Sequence, residues 1–125
     1  MEQVGVPTYD ELVLVVRRST IATKANELRR FVQALARGYE SARRAPTTAV
    51  DSLVRANPGL DRSLQLASVS ATLPVFFPSS GKQWGWQDPA QWNAYGQWML
   101  SHHLISNQNA VVDASTNELL AGQGL

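Results

Sequence analysis

An aromatic ring and two carboxylates lie side by side near the N-terminus, where Tyr9, Asp10 and Glu11 follow Gly5 and Pro7. Glycine and proline this close together favour a turn. A tyrosine ring can stack on a planar ligand, and a carboxylate accepts paired N–H bonds from an amino-substituted heterocycle. Tyr9 and Glu11 are therefore candidates for binding an aminopyrimidine or a similar heterocycle. The same residues are also compatible with a polar segment that leads into a strand.

Aromatic residues are concentrated in a second segment, because seven of the ten lie between residues 76 and 98. Trp92, Tyr95 and Trp98 recur at helical spacing, which is typical of core positions. Trp84 and Trp86 precede that helix in a predicted loop, where they could face a ligand or anchor the loop. The candidate ligand-binding residues are thus Tyr9, Glu11, Trp84 and Trp86.

The sequence contains no recognisable catalytic or metal-binding pattern. It has no cysteine, which excludes thiolate catalysis, disulfides and cysteine-based metal sites. His102 and His103 are adjacent, whereas two histidine ligands of one metal ion on a helix are spaced four residues apart. Neither a Gly-x-Ser-x-Gly motif nor a glycine-rich phosphate loop occurs. We therefore expect no catalytic residue, no metal ion and no cofactor.

Basic residues are concentrated in the first half of the chain, where ten of the eleven lysines and arginines lie between residues 17 and 62. Arg30, Arg37 and Arg44 repeat every seven residues and so share one side of a helix. This side could bind nucleic acid or an acidic protein surface, or it could simply be solvated. Because the net charge is only +1, we expect no nucleic-acid partner. A helical interaction module with a basic face remains an alternative function.

Hydrophobic spacing predicts a mainly α chain with four to five helices and one N-terminal strand. The β-branched apolar run at 12–16 predicts a strand buried on both faces, and residues 75–87 read as a loop. No apolar run is long enough to cross a bilayer. The predicted helices run from about 24 to 44, from 46 to 56, from 61 towards 74, from 88 to about 106, and over a last turn at 118–120.

Several short segments of the sequence, taken in their order along the chain, resemble segments of one protein family. These segments are GVPTYDELVLV at 5–15, LRRFVQALARGY at 28–39, ANPGLD at 56–61, QDP at 87–89 with Trp92 and Trp98, and TNELL at 116–120. They resemble the C-terminal part of ABC-importer solute-binding proteins that are similar to thiamine-pyrimidine-precursor synthases and binding proteins. One departure is Ala25, where the family usually has a proline that opens the long helix.

The resemblance implies a two-lobed α/β periplasmic-binding-protein fold of type II, in which the ligand lies in the cleft between the lobes. Residues 1–125 would form the C-terminal portion of the solute-binding domain, with a hinge-proximal turn and strand at 4–20 and a helical part at 21–125. The first lobe and a signal sequence would then lie outside this chain. The neighbours of the strand at 12–16 would belong to that missing part.

The resemblance also implies a function. The protein would be the substrate-binding component of an ABC importer, not an enzyme, and would recognise a small planar heterocycle such as a thiamine pyrimidine precursor. Tyr9 and Glu11 would lie in the cleft and Trp84 and Trp86 at its rim. The full-length protein would be an extracytoplasmic lipoprotein that docks on an ABC permease.

Two further expectations accompany this interpretation. The alternative function within the same family is a biosynthetic enzyme for the pyrimidine precursor. Because an unpaired strand recruits another chain, we also expect the 125 residues to self-associate through the strand at 12–16 or through the helices.

Overall fold

The computed structural model describes residues 5–78, 81–107, 110–111 and 114–123, and within them it is helical. The helices are α1 (Arg18–Arg44), α2 (Pro46–Ala56), α3 (Arg62–Thr72), a 3₁₀ helix (Leu73–Phe76) and α4 (Pro89–Ser101). None of the helices in these ranges is long and apolar enough to span a bilayer. The prediction of a mainly α chain is confirmed, whereas the larger two-lobed α/β fold remains a prediction.

The predicted strand at 12–16 is wrong, because the described part of the chain contains no β-strand. Residues 13–17 belong to no regular element, and residue 12 lies in a bend. A β-branched run becomes a strand only when a neighbouring strand pairs with its backbone. The other described segments form helices, turns and loops, so this run has no strand to pair with.

Helix α1 begins at Arg18, six residues before the predicted start near Lys24. The carbonyl of Arg17 accepts hydrogen bonds from the N–H groups of Thr20 (2.9 Å) and Ile21 (3.2 Å), which closes the first turn. Lys24 has non-helical backbone angles (φ −132°, ψ 27°) inside the helix. The predicted start therefore coincides with a kink between two helical stretches.

The starts of α2 and α3 agree with the predictions. Pro46 occupies the first turn of α2, where its missing N–H is not needed. The Asp61 carboxylate caps α3 by accepting from Leu64 N at 2.8 Å and from Ser63 Oγ at 2.6 Å. Helix α2 packs against both α1 and α3, and its Val50 is 1% exposed at the centre of this three-helix layer.

Helix α4 starts as predicted but ends about five residues early. Pro89 is its first residue, and Asp88 caps it by accepting from Ala90 N at 2.9 Å. At the other end, His103 adopts a left-handed conformation (φ 58°). The Leu104 N–H then donates to Met99 O and the His103 N–H to Leu100 O, which is the Schellman arrangement. The sequence pattern missed this end because a histidine stands where glycine is usual.

The predicted last helical turn at 118–120 is a non-helical turn in the described residues. Thr116 Oγ1 accepts from Glu118 N at 3.2 Å, and Leu120 N donates to Asn117 O at 2.9 Å. Leu120 itself is buried, at 7% exposure. Val4 of the predicted 4–20 segment and residues 79–80 of the predicted loop lie outside the described residues.

The chain leaves much of its surface uncovered. Its solvent-accessible area is 9016 Å², whereas a compact monomer of this mass exposes roughly 6,600 Å². Val50 and Leu120 are the buried hydrophobic residues of the described part. Many apolar side chains therefore stay exposed, among them Phe31, Leu64 and Val75.

Candidate functional site

Tyr9 lies against helix α4, not free in solvent. Its ring stacks on Tyr95, with centroids 4.5 Å apart and planes 14° apart. Tyr95 stacks in turn on Trp98 at 5.8 Å, and Trp98 stacks on the imidazole of His102 at 4.4 Å. We call Tyr9, Tyr95, Trp98 and His102 the ring column. Spacings of three and four residues place the last three on one side of α4 and its C-terminal turn.

Within the ring column, Tyr95 covers one face of the Tyr9 ring. Because Tyr9 is only partly buried, its ring still presents surface for a planar ligand. Neighbouring Glu11 is exposed and lies in a bend. The two residues thus combine a fixed ring with an accessible carboxylate.

Asp10, between these two residues, has an altered electrostatic environment. The side chain is partly exposed, but its partial burial raises the pKa of the carboxyl above the ordinary 3.8, and the negative charge of Asp88 at the start of α4 raises the pKa further. The negative charge of Asp88 is therefore felt at Asp10, next to Tyr9. This proximity could not be predicted from the sequence, because residues 10 and 88 are far apart along the chain and tertiary packing, including the stacking of Tyr9 on α4, brings them together.

The raised pKa of Asp10 has a defined effect on stability. The folded state holds the Asp10 proton more tightly than the unfolded state, so ionised Asp10 destabilises the fold at neutral pH, and this penalty disappears as pH falls through its folded pKa towards 3.8. We expect Asp10→Asn to stabilise the chain at pH 7 and to lose that advantage below about pH 4. Urea unfolding at a series of pH values measures this difference.

Asp61 provides a control, because the pKa of its carboxyl is shifted in the opposite direction. Hydrogen bonds from Ser63 Oγ and Leu64 N lower the pKa of Asp61 below 3.8. Asp61→Asn should therefore destabilise the chain at pH 7, with a cost that fades as pH falls through the lowered pKa. If the two variants showed the same pH trend, the environment assigned to Asp10 would be wrong.

Trp84 lies in a different aromatic cluster, and Trp86 contacts Lys82. Trp84 stacks on Tyr39 of α1 at 4.9 Å, and Tyr39 also contacts Phe76 at 5.4 Å. The Lys82 ammonium lies 4.5 Å above the Trp86 ring. No hydrogen bond, ion pair or ring contact joins Trp84 or Trp86 to Tyr9 or Glu11 within the described ranges. The structure therefore holds Trp84 as an anchor of the loop on α1.

A cavity of about 400 Å³ opens between α4 and the C-terminal segment. Trp92 provides an aromatic wall, while Asn93, Ser115 and Thr116 provide polar groups. The volume falls within the range of small-molecule pockets. None of the four residues predicted from the sequence lines this cavity.

One wall of this cavity is fixed by a pair of amide groups that we call the Gln87–Asn117 clamp. The backbone N–H of Gln87 donates to Asn117 Oδ1 at 2.8 Å, and Asn117 Nδ2 donates back to Gln87 O at 2.8 Å. Gln87 Oε1 also accepts from the indole N–H of Trp92 at 2.7 Å. The clamp joins two segments, 87–89 and 116–120, that carry the family resemblance. The sequence singled out both segments but could not place them together.

The histidines form no metal site in the structure. His102 caps the end of α4, and its Nδ1 lies 2.8 Å from Trp98 O and 3.0 Å from Ser101 Oγ. No group of three potential metal-ligating side chains occurs in the ranges that the structure describes. These contacts give His102 a structural role at the helix terminus.

The basic side of α1 is exposed at Arg30, Arg37 and Arg44. Arg29, beside it, differs because its Nη1 donates to Asn26 Oδ1 at 2.9 Å while Nε and Nη2 are buried without a partner in the described part of the chain. Buried donors of a permanently charged guanidinium are costly to leave unpaired. The spacing of the arginines did not indicate this burial, which depends on how α1 packs.

Comparison with known proteins confirms the resemblance drawn from the sequence. Residues 1–49 match the model of the family described as NMT1/THI5 like. The chain is also similar to the formylaminopyrimidine-binding protein of Halalkalibacterium halodurans, with 29% identity over 114 residues. That match covers 88% of this chain and 34% of the relative, so the chain spans about a third of the relative's length. No solved structure matches the chain.

Proposed function

We propose that this chain forms part of a binding protein for a pyrimidine precursor of thiamine. The observation that carries this proposal is the similarity to a formylaminopyrimidine-binding protein across 88% of the chain. The family match at residues 1–49 includes Tyr9 and Glu11 and supports the same assignment. The named relative is a binding protein, and this favours binding without chemistry.

The geometry around Tyr9 supports recognition of a planar, amino-bearing ring. Stacking on Tyr95 at 4.5 Å holds the Tyr9 ring in place, so little conformational freedom is lost when a ligand packs against it. The exposed Glu11 carboxylate next to it can accept N–H bonds from an exocyclic amino group. The resemblance to solute-binding proteins supports Trp84 and Trp86 as residues at the rim of the cleft, where their side chains contact Tyr39 and Lys82.

The proposal extends to the whole protein. We place the ligand between two lobes of a type II periplasmic-binding-protein fold, with the second lobe supplied by residues outside this chain. We further propose that the protein works outside the cytoplasm, as a lipoprotein that delivers its ligand to an ABC permease. The length of the relative, of which this chain covers 34%, supports an additional lobe.

Calorimetry with formylaminopyrimidine tests the proposed ligand and the proposed residues. In the complete product of the gene, Tyr9→Ala removes a stacking surface and should weaken binding by about tenfold. Glu11→Gln removes a charge-assisted hydrogen bond and should weaken binding by roughly tenfold to a hundredfold. Glu118→Gln, an exposed carboxylate on the terminal turn, is the matched control and should leave affinity unchanged.

The outcomes separate the function from the site. Absence of binding to the complete product would overturn the function. Binding that neither Tyr9→Ala nor Glu11→Gln weakens would leave the function standing and remove both residues from the site. Because one lobe supplies only part of the contacts, the 125 residues alone should bind more weakly than the complete product.

A further inference from the structure

The cavity between α4 and the C-terminal segment takes no part in the site proposed around Tyr9. Both lie against α4, but on different sides of this helix. At about 100° per residue, Asn93 of the cavity and Tyr95, on which Tyr9 stacks, point roughly 160° apart around the helix axis. The cavity is therefore a separate place in the fold.

One wall of the cavity is an aromatic ring whose orientation is fixed. Trp92 lines the cavity and is only partly exposed. Its indole N–H donates to Gln87 Oε1 at 2.7 Å, which holds the ring in one orientation. Because the ring is already ordered, little conformational freedom is lost when a planar molecule stacks on it.

The opposite wall is tied to α4 through the Gln87–Asn117 clamp. Both hydrogen bonds of the clamp measure 2.8 Å, and they join Asn117 of the C-terminal segment to the residue that precedes the α4 cap. Both walls of the cavity thus belong to this chain and are held together by bonds within it. The cavity is formed without a contribution from residues outside the chain.

The polar groups that remain free in the cavity are neutral. Within the described residues, neither the Asn93 amide nor the Ser115 hydroxyl is paired with another group. Thr116 Oγ1 accepts from Glu118 N at 3.2 Å, which leaves its O–H to donate. One amide and two hydroxyls offer donors and acceptors without a charge, and such groups suit the edge of a neutral carboxamide.

The volume of the cavity limits the size of its ligand. About 400 Å³ lies near the lower end of ligand pockets, which span roughly 300–1,000 Å³. A single aromatic ring with one neutral polar substituent matches this volume, the indole wall and the free polar groups.

We propose that this cavity is a second small-molecule site, separate from Tyr9 and Glu11, which takes a neutral planar ring that bears a carboxamide-like group. Trp92 stacks on the ring, while Asn93 and Ser115 bind its polar edge. The proposal goes beyond the proposed function and does not depend on it.

Calorimetry of the complete gene product with nicotinamide, a neutral aromatic carboxamide, tests the site. Ala114 is exposed and lines the cavity. Ala114→Phe should weaken nicotinamide binding at least about tenfold, because the larger side chain fills the space of the ligand. Ala121→Phe makes the same change at an exposed residue outside the lining and should leave the affinity unchanged. Cyclohexanecarboxamide, which keeps the amide but lacks the planar ring, should bind at least about tenfold more weakly than nicotinamide.

Asn93→Ala is a second test that does not depend on how Ala114→Phe folds. Asn93 is exposed on α4, where alanine is the better helix former. The substitution removes one hydrogen bond and should weaken nicotinamide binding about fivefold. Tyr9→Ala should leave nicotinamide binding unchanged, whatever its effect on formylaminopyrimidine. Absence of nicotinamide binding, binding that Ala114→Phe or Asn93→Ala leaves unchanged, or loss of binding in Tyr9→Ala would each overturn the proposal.

Discussion

Gly96→Ala is expected to destabilise the chain by about 2 kcal/mol, although alanine is normally the better helix former. Gly96 is buried in α4, and a Cβ atom there would lie 2.7 Å from Cγ2 and 2.8 Å from Cβ of Val111. Overpacking of this kind costs up to about 3 kcal/mol, whereas the gain in helix propensity is only about 1 kcal/mol. Urea unfolding followed by tryptophan fluorescence measures the net effect.

Gly38→Ala is the matched control for this substitution. Gly38 also lies within a helix, but a Cβ atom there would meet nothing within 4 Å. Gly38→Ala should therefore stabilise the chain by about 1 kcal/mol through helix propensity alone. Combining Gly96→Ala with Val111→Ala should recover most of the lost stability. If Gly96→Ala behaved like Gly38→Ala, the close approach of residue 111 to α4 would be wrong.

The parts of the fold that the sequence predicted correctly depend on local chemistry. Pro46, Asp61 and Asp88 each specify a helix start through a backbone restriction or a side-chain cap, and the structure has all three starts. The prediction of a strand at 12–16 was wrong because a strand requires a partner strand, and no local sequence pattern supplies one. The predicted end of α4 was wrong because His103 adopts a backbone conformation that glycine usually provides.

The site shows the same division between local and long-range information. The candidates Tyr9 and Trp84 were recognised from residue type, but the rings that they contact, Tyr95 and Tyr39, lie more than 40 positions away in sequence. Trp84 and the Tyr9–Glu11 pair therefore fall in separate clusters. Similarly, the Gln87–Asn117 clamp joins two segments whose proximity follows only from tertiary packing.

The second large effect on stability is expected when the Gln87–Asn117 clamp is broken. Asn117→Ala should cost about 2–3 kcal/mol, because it removes two hydrogen bonds and leaves the Gln87 backbone N–H and C=O without partners in a partly buried position. Asn107→Ala is the control, since its side chain accepts one exposed hydrogen bond from Ala110 N at 3.1 Å. It should cost less than about 1 kcal/mol.

Asn117→Asp distinguishes the loss of a donor from the loss of side-chain packing. Aspartate keeps an oxygen that accepts from Gln87 N, but its second oxygen faces the Gln87 carbonyl in place of the Nδ2 donor. The variant should therefore be about as unstable as Asn117→Ala at pH 7. It should recover part of the loss at acidic pH, where a protonated carboxyl can donate to that carbonyl. Equal stability of wild type and Asn117→Asp at pH 7 would show that the bond from Asn117 Nδ2 to Gln87 O contributes nothing to holding the C-terminal segment against α4.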